Sequence, residues 1–180
     1  LTNDVLLRSA DNIGPLISSE PTVYKGVSLG GIYGTTLMAV SPYISTAVFH
    51  VPSAVFSTLM PHSPEFDLFR VFLDGTIPSF TTQAIYFALA QSIFDPTDPI
   101  NYIRNLQQDT LTPLGDKNLL WQCGLGDMSA PWYNCEMLMR SGGFPQAGPT
   151  FRDVYGVGTI DTPTDSYTSA LQYFDPQLGI

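Results

Sequence analysis

The chain has 180 residues, which is enough for one domain with a buried core. Hydrophobic residues make up 44% of it and charged residues 13%, a composition that excludes a disordered tail or a solvating linker. Seven Lys and Arg residues stand against sixteen Asp and Glu residues, for a net charge of −9. This balance provides no basic stripe to neutralise phosphates and argues against a nucleic-acid partner.

No segment has the pattern of a signal peptide or of a transmembrane helix. The longest apolar stretches are interrupted by Ser, Thr, Pro or Gly well short of about 20 residues. Few lysines and many Ser, Thr, Gly and Pro residues favour an exported protein, secreted or held in the cell envelope. The two cysteines, Cys123 and Cys135, are predicted to form a small disulfide loop or to be two separate buried thiols.

The first part of the chain is predicted to form a helix, followed by a strand, a turn, a second helix and a second strand. Residues 4–16 have apolar side chains at helical spacing, and residues 22–27 are typical of a short strand. Small and apolar residues over 30–40 predict a helix packed closely on a sheet and ended by a Ser-Pro pair. Residues 45–51 are β-branched and aromatic, as in a buried strand, so the unit is βαβ and its strands are parallel.

Residues 52–112 are predicted to be an inserted helical cap and not a second domain. Residues 65–73 and 81–94 have helical spacing of apolar side chains, and residues 98–108 are a third helix candidate. Prolines punctuate the whole stretch. We therefore expect a single α/β domain with this cap inserted between two of its strands.

The sheet pattern returns in the last third of the chain. Asn118–Gly124 is a further buried-strand candidate, and a short helix over residues 131–140 begins at a proline and is ended by two glycines. Residues 151–160 alternate enough to predict a last strand, and residues 161–180 are predicted to be a turn-rich tail. The order of elements is that of the α/β class with a mostly parallel sheet.

Gly26 to Gly30 match the pattern G-x-S-x-G between the predicted strand and the predicted helix. In this pattern the serine occupies a strained turn, and glycines two residues either side let strand and helix approach closely. Ser28 is therefore the candidate nucleophile, and the Leu29 N–H is the candidate donor to an oxyanion. Gly26 and Gly30 are the structural glycines of the turn. The alternative is a glycine turn with an incidental serine.

The stretch Gly-Val-Ser-Leu-Gly-Gly-Ile-Tyr-Gly resembles the nucleophile elbow of α/β-hydrolases, especially bacterial lipases and esterases with a G-x-S-L-G-G core. Many members have His where this chain has Val27. The resemblance covers about residues 20–160 and implies the C-terminal half of such a fold, with flanking helices around the sheet. It also implies a serine hydrolase that cleaves carboxylic esters, with a small-molecule ester or a lipid as substrate and no cofactor.

In this family the acid of the catalytic triad follows the second strand after that of the nucleophile, in a loop often of the form G-x-x-D-x-x-x-P. The chain has Gly124, Asp127 and Pro131 at that spacing, directly after the strand candidate Asn118–Gly124. The resemblance therefore makes Asp127 the candidate acid that orients the catalytic imidazole. A plain turn aspartate is the alternative, and Asp116 is a weaker competitor because it precedes the strand.

The sequence leaves the catalytic base unassigned. A serine hydroxyl near pH 7 needs an adjacent base, which the family supplies after the last strand. The two histidines precede the candidate acid: His50 lies in an apolar strand as a structural residue, and His62 is a cap residue that could swing over Ser28. We therefore expect a C-terminal fragment, with an upstream half of the sheet that supplies the second oxyanion donor and a histidine shortly beyond Ile180.

Other functions stay open. An amidase or peptidase would use the same elbow, because it also proceeds through an acyl-enzyme. A non-catalytic, hydrolase-like interaction module would account for the missing histidine. A metal hydrolase is disfavoured, because two histidines and two cysteines without ligand spacing predict no metal site. Aromatic side chains of the cap favour an apolar or acyl substrate unless they form only the cap's own core: Phe56, Phe66, Phe69, Phe72, Phe80, Tyr86 and Phe87.

Overall fold

One parallel sheet organises the described part of the chain. The computed structural model describes residues 22–113, 117–148, 150–161 and 169–175. Six strands are present in these ranges: β1 (Val23–Val27), β2 (Thr46–His50), β3 (Asn118–Gly124), β4 (Gln146–Ala147), β5 (Thr159–Ile160) and β6 (Ala170–Phe174). They lie in the order β1-β2-β3-β6-β4-β5, and all neighbours pair in parallel. The predicted α/β class with a parallel sheet is confirmed.

Helices connect most of these strands. Within the described ranges the α-helices are α1 (Leu29–Val40), α2 (Phe56–His62), α3 (Asp67–Thr76), α4 (Phe80–Phe94) and α5 (Trp132–Gly142). Short 3₁₀ helices lie at Pro64–Phe66, Pro99–Asn101 and Ile103–Leu106. Residues 52–112, called the cap below, hold α2, α3 and α4 between β2 and β3. That this stretch is an inserted cap of a single domain stays a prediction.

No helix in the described residues is long and apolar enough to cross a bilayer.

The second half of the chain departs from the expected pattern in two places. The strand predicted over residues 151–160 is wrong except for β5, because the chain turns at Gly156, where φ is +74°. The tail from residue 161 is not turn-rich throughout, since it contains β6, which inserts between β3 and β4. In β6 a single polar residue, Gln172, is exposed between buried Leu171 and Tyr173.

The cap also differs in detail from the prediction. The third helix candidate, residues 98–108, is a pair of 3₁₀ helices and not an α-helix. The helix α2 was not predicted; it contains Pro61 and is only 7 residues long. The helix predicted over residues 4–16 lies outside the described residues, and so does Asp116.

The buried core lies on one face of the sheet. Phe49 of β2 and Trp121 of β3 are fully buried, with their ring centroids 5.4 Å apart. Phe144 packs on Trp121 at 4.5 Å, and side chains of α1 and α5 complete the cluster. On the other face Val27 of β1 is 52% exposed. Helices α1 and α5 therefore cover the face of the sheet that carries Phe49 and Trp121.

A buried lysine fixes the end of α1 to the start of β3. Lys117 is 1% exposed, and its Nζ donates to the backbone oxygens of Met38, Ser41 and Ile44 at 2.5, 2.6 and 3.0 Å. Burial lowers the pKa of the Lys117 amine. Because carbonyls at the end of a helix have no partner within the helix, the bonds to Met38 and Ser41 satisfy groups at the end of α1, and the bond to Ile44 fixes the loop that follows. Lys117 thus holds the C-terminal end of α1, the helix whose N-terminal end lies at Ser28.

Candidate active site

Ser28 stands at the turn between β1 and α1, at the carboxyl edge of the sheet. Its φ is +52° and its ψ is −119°, a backbone conformation that costs a residue with a β-carbon of order 1–3 kcal/mol. Its N–H donates to the His50 carbonyl at 2.9 Å, and its own carbonyl accepts from the N–H groups of Gly31 and Ile32 at 2.8 and 3.0 Å. The strained turn is therefore held by hydrogen bonds to β2 and to the first turn of α1.

Close approach of strand and helix explains the glycine before Ser28. A β-carbon at Gly26 would lie 2.2 Å from the Gly30 carbonyl oxygen, so a side chain there would force β1 and α1 apart. A β-carbon at Gly30 would meet only the hydroxyl of Tyr24, at 3.8 Å. The second tight contact is instead at Gly34, where a β-carbon would lie 2.3 Å from the ring of Tyr24. Sequence analysis missed Tyr24 and Gly34.

The N–H of Leu29 is the first of α1, so no carbonyl one turn earlier in the helix accepts from it. Leu29 follows Ser28 directly, and its side chain is 56% exposed. An N–H group at this place is available to a group bound beside the Ser28 side chain. The role of this N–H as a donor to an oxyanion stays a prediction.

Asp127 lies in the loop after β3. Its Oδ1 accepts from the N–H groups of Ser129 and Ala130 at 2.8 and 2.9 Å, which fixes the orientation of the carboxylate. The hydroxyl of Ser129 donates to Glu65 of the cap at 3.0 Å, so the same loop is attached to the cap. Two backbone donors on one oxygen leave the other, Oδ2, to accept from a further donor.

A disulfide closes the loop that carries this candidate acid. Cys123 at the end of β3 is bonded to Cys135 of α5, twelve residues later, with their Cα atoms 6.7 Å apart. The disulfide alternative of the sequence analysis is therefore correct. Next to it, the hydroxyl of Tyr173 donates to Glu136, which also accepts from Arg152 at 3.1 Å. Burial and the hydrogen bond to Glu136 raise the pKa of Tyr173 well above its usual range.

Ser28 and Asp127 follow strands that have β2 between them. The register aligns Val27 with His50 and His50 with Gln122, so the carboxyl ends of β1, β2 and β3 meet at one edge. Neighbouring strands lie 4.7–4.9 Å apart, which separates the ends of β1 and β3 by roughly 10 Å. The candidate nucleophile and acid thus share an edge of the sheet without direct contact, a spacing that suits an imidazole between them.

The two histidines are held elsewhere. The His50 ring stacks on Phe174 of β6, with centroids 4.9 Å apart and planes 14° from parallel. The His62 Nδ1 lies 2.8 Å from the Thr58 carbonyl oxygen, and its ring is nearly perpendicular to that of Tyr133, with centroids 6.1 Å apart. In the described structure neither ring hydrogen-bonds to Ser28 or to Asp127. His50 contributes through its backbone carbonyl, which accepts from the Ser28 N–H.

Similar proteins are found by structure and not by sequence. No family model and no curated protein matches the sequence. The acylaminoacyl peptidase of Pyrococcus horikoshii matches 96% of this chain with a TM-score of 0.53 and 13% identity. A puromycin-hydrolyzing peptidase of Mycobacterium tuberculosis matches 96% with a TM-score of 0.51, and a puromycin hydrolase matches 94% with a TM-score of 0.52, both at 13% identity. The chain spans about a fifth of the length of these proteins.

The chain has an α/β-hydrolase fold. The six-stranded parallel sheet and its flanking helices match those of these α/β-hydrolases over most of the chain. The fold that the elbow motif implied is therefore confirmed. At 13% identity the likeness concerns the fold, so the chemistry has to be argued from the residues at the carboxyl edge.

A buried carboxylate that sequence analysis missed, Asp98 at the start of the 3₁₀ helix Pro99–Asn101, binds the segment that follows β2. Asp98 is 0% exposed and accepts from the N–H groups of Val55 and Phe56 at 3.0 Å, and from the Gln91 amide at 2.9 Å. Val51 and Val55, both β-branched, have φ of +45° and +59°. Asp98 therefore holds a strained segment that begins directly after His50, beside the elbow.

Metal ligation has no support in the described residues. No group of three or more His, Cys, Asp or Glu side chains lies there in an arrangement that could hold a metal ion.

Proposed function

We propose that Ser28 is the nucleophile of a serine hydrolase that cleaves carboxylic esters through an acyl-enzyme. The observation that carries this proposal is the strained conformation of Ser28, with φ of +52°, on a strand-to-helix turn at the carboxyl edge of a parallel sheet. Residues held in such conformations cluster at functional sites, and this turn presents a serine hydroxyl in many hydrolases of this fold.

The proposed chemistry has two steps. The Ser28 Oγ attacks the acyl carbon while a base takes its proton, and the Leu29 N–H donates to the oxyanion that forms. The alcohol leaves with a proton returned by the base, and water then releases the acid by the same route. Asp127 keeps the base oriented through Oδ2 and stabilises its protonated form.

The base is proposed to be a histidine outside these 180 residues, following β6. The Leu125 N–H of the acid loop donates to the Phe174 carbonyl at 3.0 Å, so the end of β6 lies beside the loop that carries Asp127. Chain that continues from β6 therefore starts next to the acid. His50 and His62, whose rings are engaged with Phe174 and Tyr133, are not proposed as the base.

An ester with an apolar acyl group, including a lipid, is the proposed substrate. The cap presents large apolar side chains to its surroundings, with Phe80 84% and Phe72 66% exposed. Exposed apolar surface of this kind fits apolar groups of a substrate better than charged ones. An amide or peptide substrate is the second candidate, since two of the three fold relatives described above are named peptidases and an amide would be cleaved through the same acyl-enzyme.

A fluorophosphonate probe on the full-length protein tests the proposal. The wild type should be labelled, Ser28→Ala should not, and Ser92→Ala, which removes an exposed hydroxyl on α4, should be labelled as the wild type is. No labelling of the wild type would favour a non-catalytic interaction module. Comparing p-nitrophenyl butyrate with the matching p-nitroanilide then separates the ester from the amide candidate.

A further inference from the structure

A cleft in the cap is lined by residues that take no part in the proposed bond cleavage, although one of them, Phe80, also belongs to the exposed apolar surface described above. It lies between α2 and α4 and has a volume of about 330 Å³, within the range of small-molecule sites. Its walls are mainly apolar, formed by Pro61, Phe80, Ala84, Phe87 and Ala88. The polar side chains that line it are Ser57, His62 and Gln83.

The His62 ring presents a hydrogen-bond acceptor. Its Nδ1 lies 2.8 Å from the Thr58 carbonyl oxygen, and a carbonyl only accepts, so Nδ1 carries the hydrogen. In the neutral ring Nε2 then holds a lone pair. The edge contact with Tyr133 supports the ring from α5. His62 therefore offers the ligand an acceptor, at a place fixed by one backbone bond and one ring contact.

Gln83 presents a second acceptor. Its amide nitrogen donates to Asp74 Oδ1 at 2.8 Å and to the Ile77 carbonyl at 2.7 Å. Both hydrogens of the amide are used by these two bonds, and the group that remains is the carbonyl oxygen. The polar groups fixed by their own contacts are thus acceptors, whereas the Ser57 hydroxyl can either donate or accept.

A second cleft, of about 420 Å³, adjoins the first and adds negative charge. The two share Pro61, Phe80, Gln83 and Phe87, and the second is also lined by Asp67, Arg70 and Asp74 of α3. Arg70 is engaged by an ion pair with Asp67 and a hydrogen bond to the Pro61 carbonyl at 2.8 Å. Asp74 is hydrogen-bonded to the neutral amide of Gln83 and is not paired with Arg70. The negative charge of Asp74 is therefore not neutralised by that arginine.

We propose that these two adjoining clefts, called the cap cleft, bind an apolar or aromatic group that carries a protonated amine. The apolar part packs on Pro61, Phe80 and Phe87, and the amine lies on the side of Asp74 and Gln83. Helix α4 has no charged residue from Phe80 to Phe94, so it adds no cation that would repel an amine. A chain with a net charge of −9 also attracts cations over longer distances.

Three probes of similar shape separate this ligand class from its alternatives. Phenethylamine, phenethyl alcohol and hydrocinnamate are titrated into the full-length protein by ligand-observed NMR or calorimetry. We expect the amine to bind about fivefold more tightly than the alcohol, since its charge meets the exposed carboxylate of Asp74, and the anionic hydrocinnamate to bind most weakly. Equal affinities, or tightest binding of hydrocinnamate, would overturn the proposal.

Three variants test whether the probes bind in the cap cleft. Asp74→Asn keeps the shape and the acceptor for Gln83, so it should remove the preference for the amine and leave the affinity for the alcohol within about twofold. Asp153→Asn removes an equal charge at an exposed position outside the cleft and should change nothing. Ala84→Phe should fill the cleft and weaken the binding of all probes; if it does not, the probes bind elsewhere. Because binding is the readout, the result stands even if Ser28 is shown not to react.

Discussion

Ser28 shows how one residue is held in a conformation that its side chain disfavours. Its N–H is bonded to β2, its carbonyl is bonded to the first turn of α1, and the absence of a side chain at Gly26 lets α1 come close. These contacts come from three different elements. Strain at this position is therefore maintained by the surrounding packing, as expected for a site where reactivity depends on a fixed geometry.

Gly26→Ala tests the close approach at the elbow. A β-carbon 2.2 Å from the Gly30 oxygen cannot be accommodated without moving β1 or α1, so we expect a loss of about 2–4 kcal/mol in the free energy of unfolding. Gly30→Ala is the matched control, since its β-carbon meets only the Tyr24 hydroxyl at 3.8 Å and alanine favours the helix by up to about 1 kcal/mol. Urea denaturation measures both, and equal destabilisation would contradict the account of the elbow.

Asp127→Asn tests the role of the candidate acid. The amide oxygen can still accept from Ser129 and Ala130, so the loop should stay in place while the charge that supports an imidazolium is lost. We expect the rate of probe labelling at Ser28 to fall by about 10²–10⁴-fold with little change in thermal stability. The exposed Asp153→Asn serves as control. A labelling rate unchanged from the wild type would exclude Asp127 as the triad acid.

At the scale of elements, α1 depends on a contact at the end opposite to Ser28. Lys117→Met removes the donor to three carbonyls near the end of α1 and should lower the free energy of unfolding by about 2–4 kcal/mol. Lys25→Met, at an exposed position on β1, should change it by less than about 0.5 kcal/mol. Chemical denaturation compares the two, and similar values would mean that the Lys117 bonds contribute no net stability.

The disulfide between β3 and α5 should stabilise the loop that carries Asp127. For a loop of this size the expected contribution is about 3 kcal/mol, lost in Cys123→Ala/Cys135→Ala or on reduction. Thiol titration of the denatured protein provides the direct check: no thiol should react before reduction and two should react after it. Free thiols in the unreduced protein would show that the bond is absent.

The elements that sequence analysis found are those with a strong local pattern. The segment β1–α1–β2 and the strand β3 are apolar runs bounded by glycine or proline, as buried parallel strands and their connecting helices usually are. The strand β6 was missed because Gln172 interrupts a run of only five residues. Asp98 was missed because its partners Val55 and Phe56 lie more than forty residues away along the chain, where local spacing carries no information.

In the candidate site, too, local motifs could be predicted from the sequence and contacts between distant residues could not. Ser28 and its turn are predictable because the motif is local, and Asp127 is predictable only through the resemblance to a family. The contact of Tyr24 with Gly34 depends on how α1 packs on β1, and that of Glu65 with Ser129 depends on how the cap packs on the loop after β3. Neither contact leaves a pattern in the sequence.

At the scale of the whole molecule, the parallel sheet assembles the site by its topology. Because neighbouring strands point the same way, the segments after β1, β2, β3 and β6 all emerge at one edge. That edge collects the Ser28 turn, the strained segment after β2, the Asp127 loop and the end of β6. The parallel sheet thus brings residues such as Ser28 and Asp127, which are far apart in the sequence, to the same edge.

The central claim is that Ser28 is the reactive residue, and tandem mass spectrometry of the inhibited full-length protein tests it most directly. After reaction with a fluorophosphonate and proteolysis, the account predicts a single phosphonyl adduct on the peptide that contains Ser28, absent when the protein is denatured before the reaction. An adduct on another serine, or none on the native protein, would contradict it.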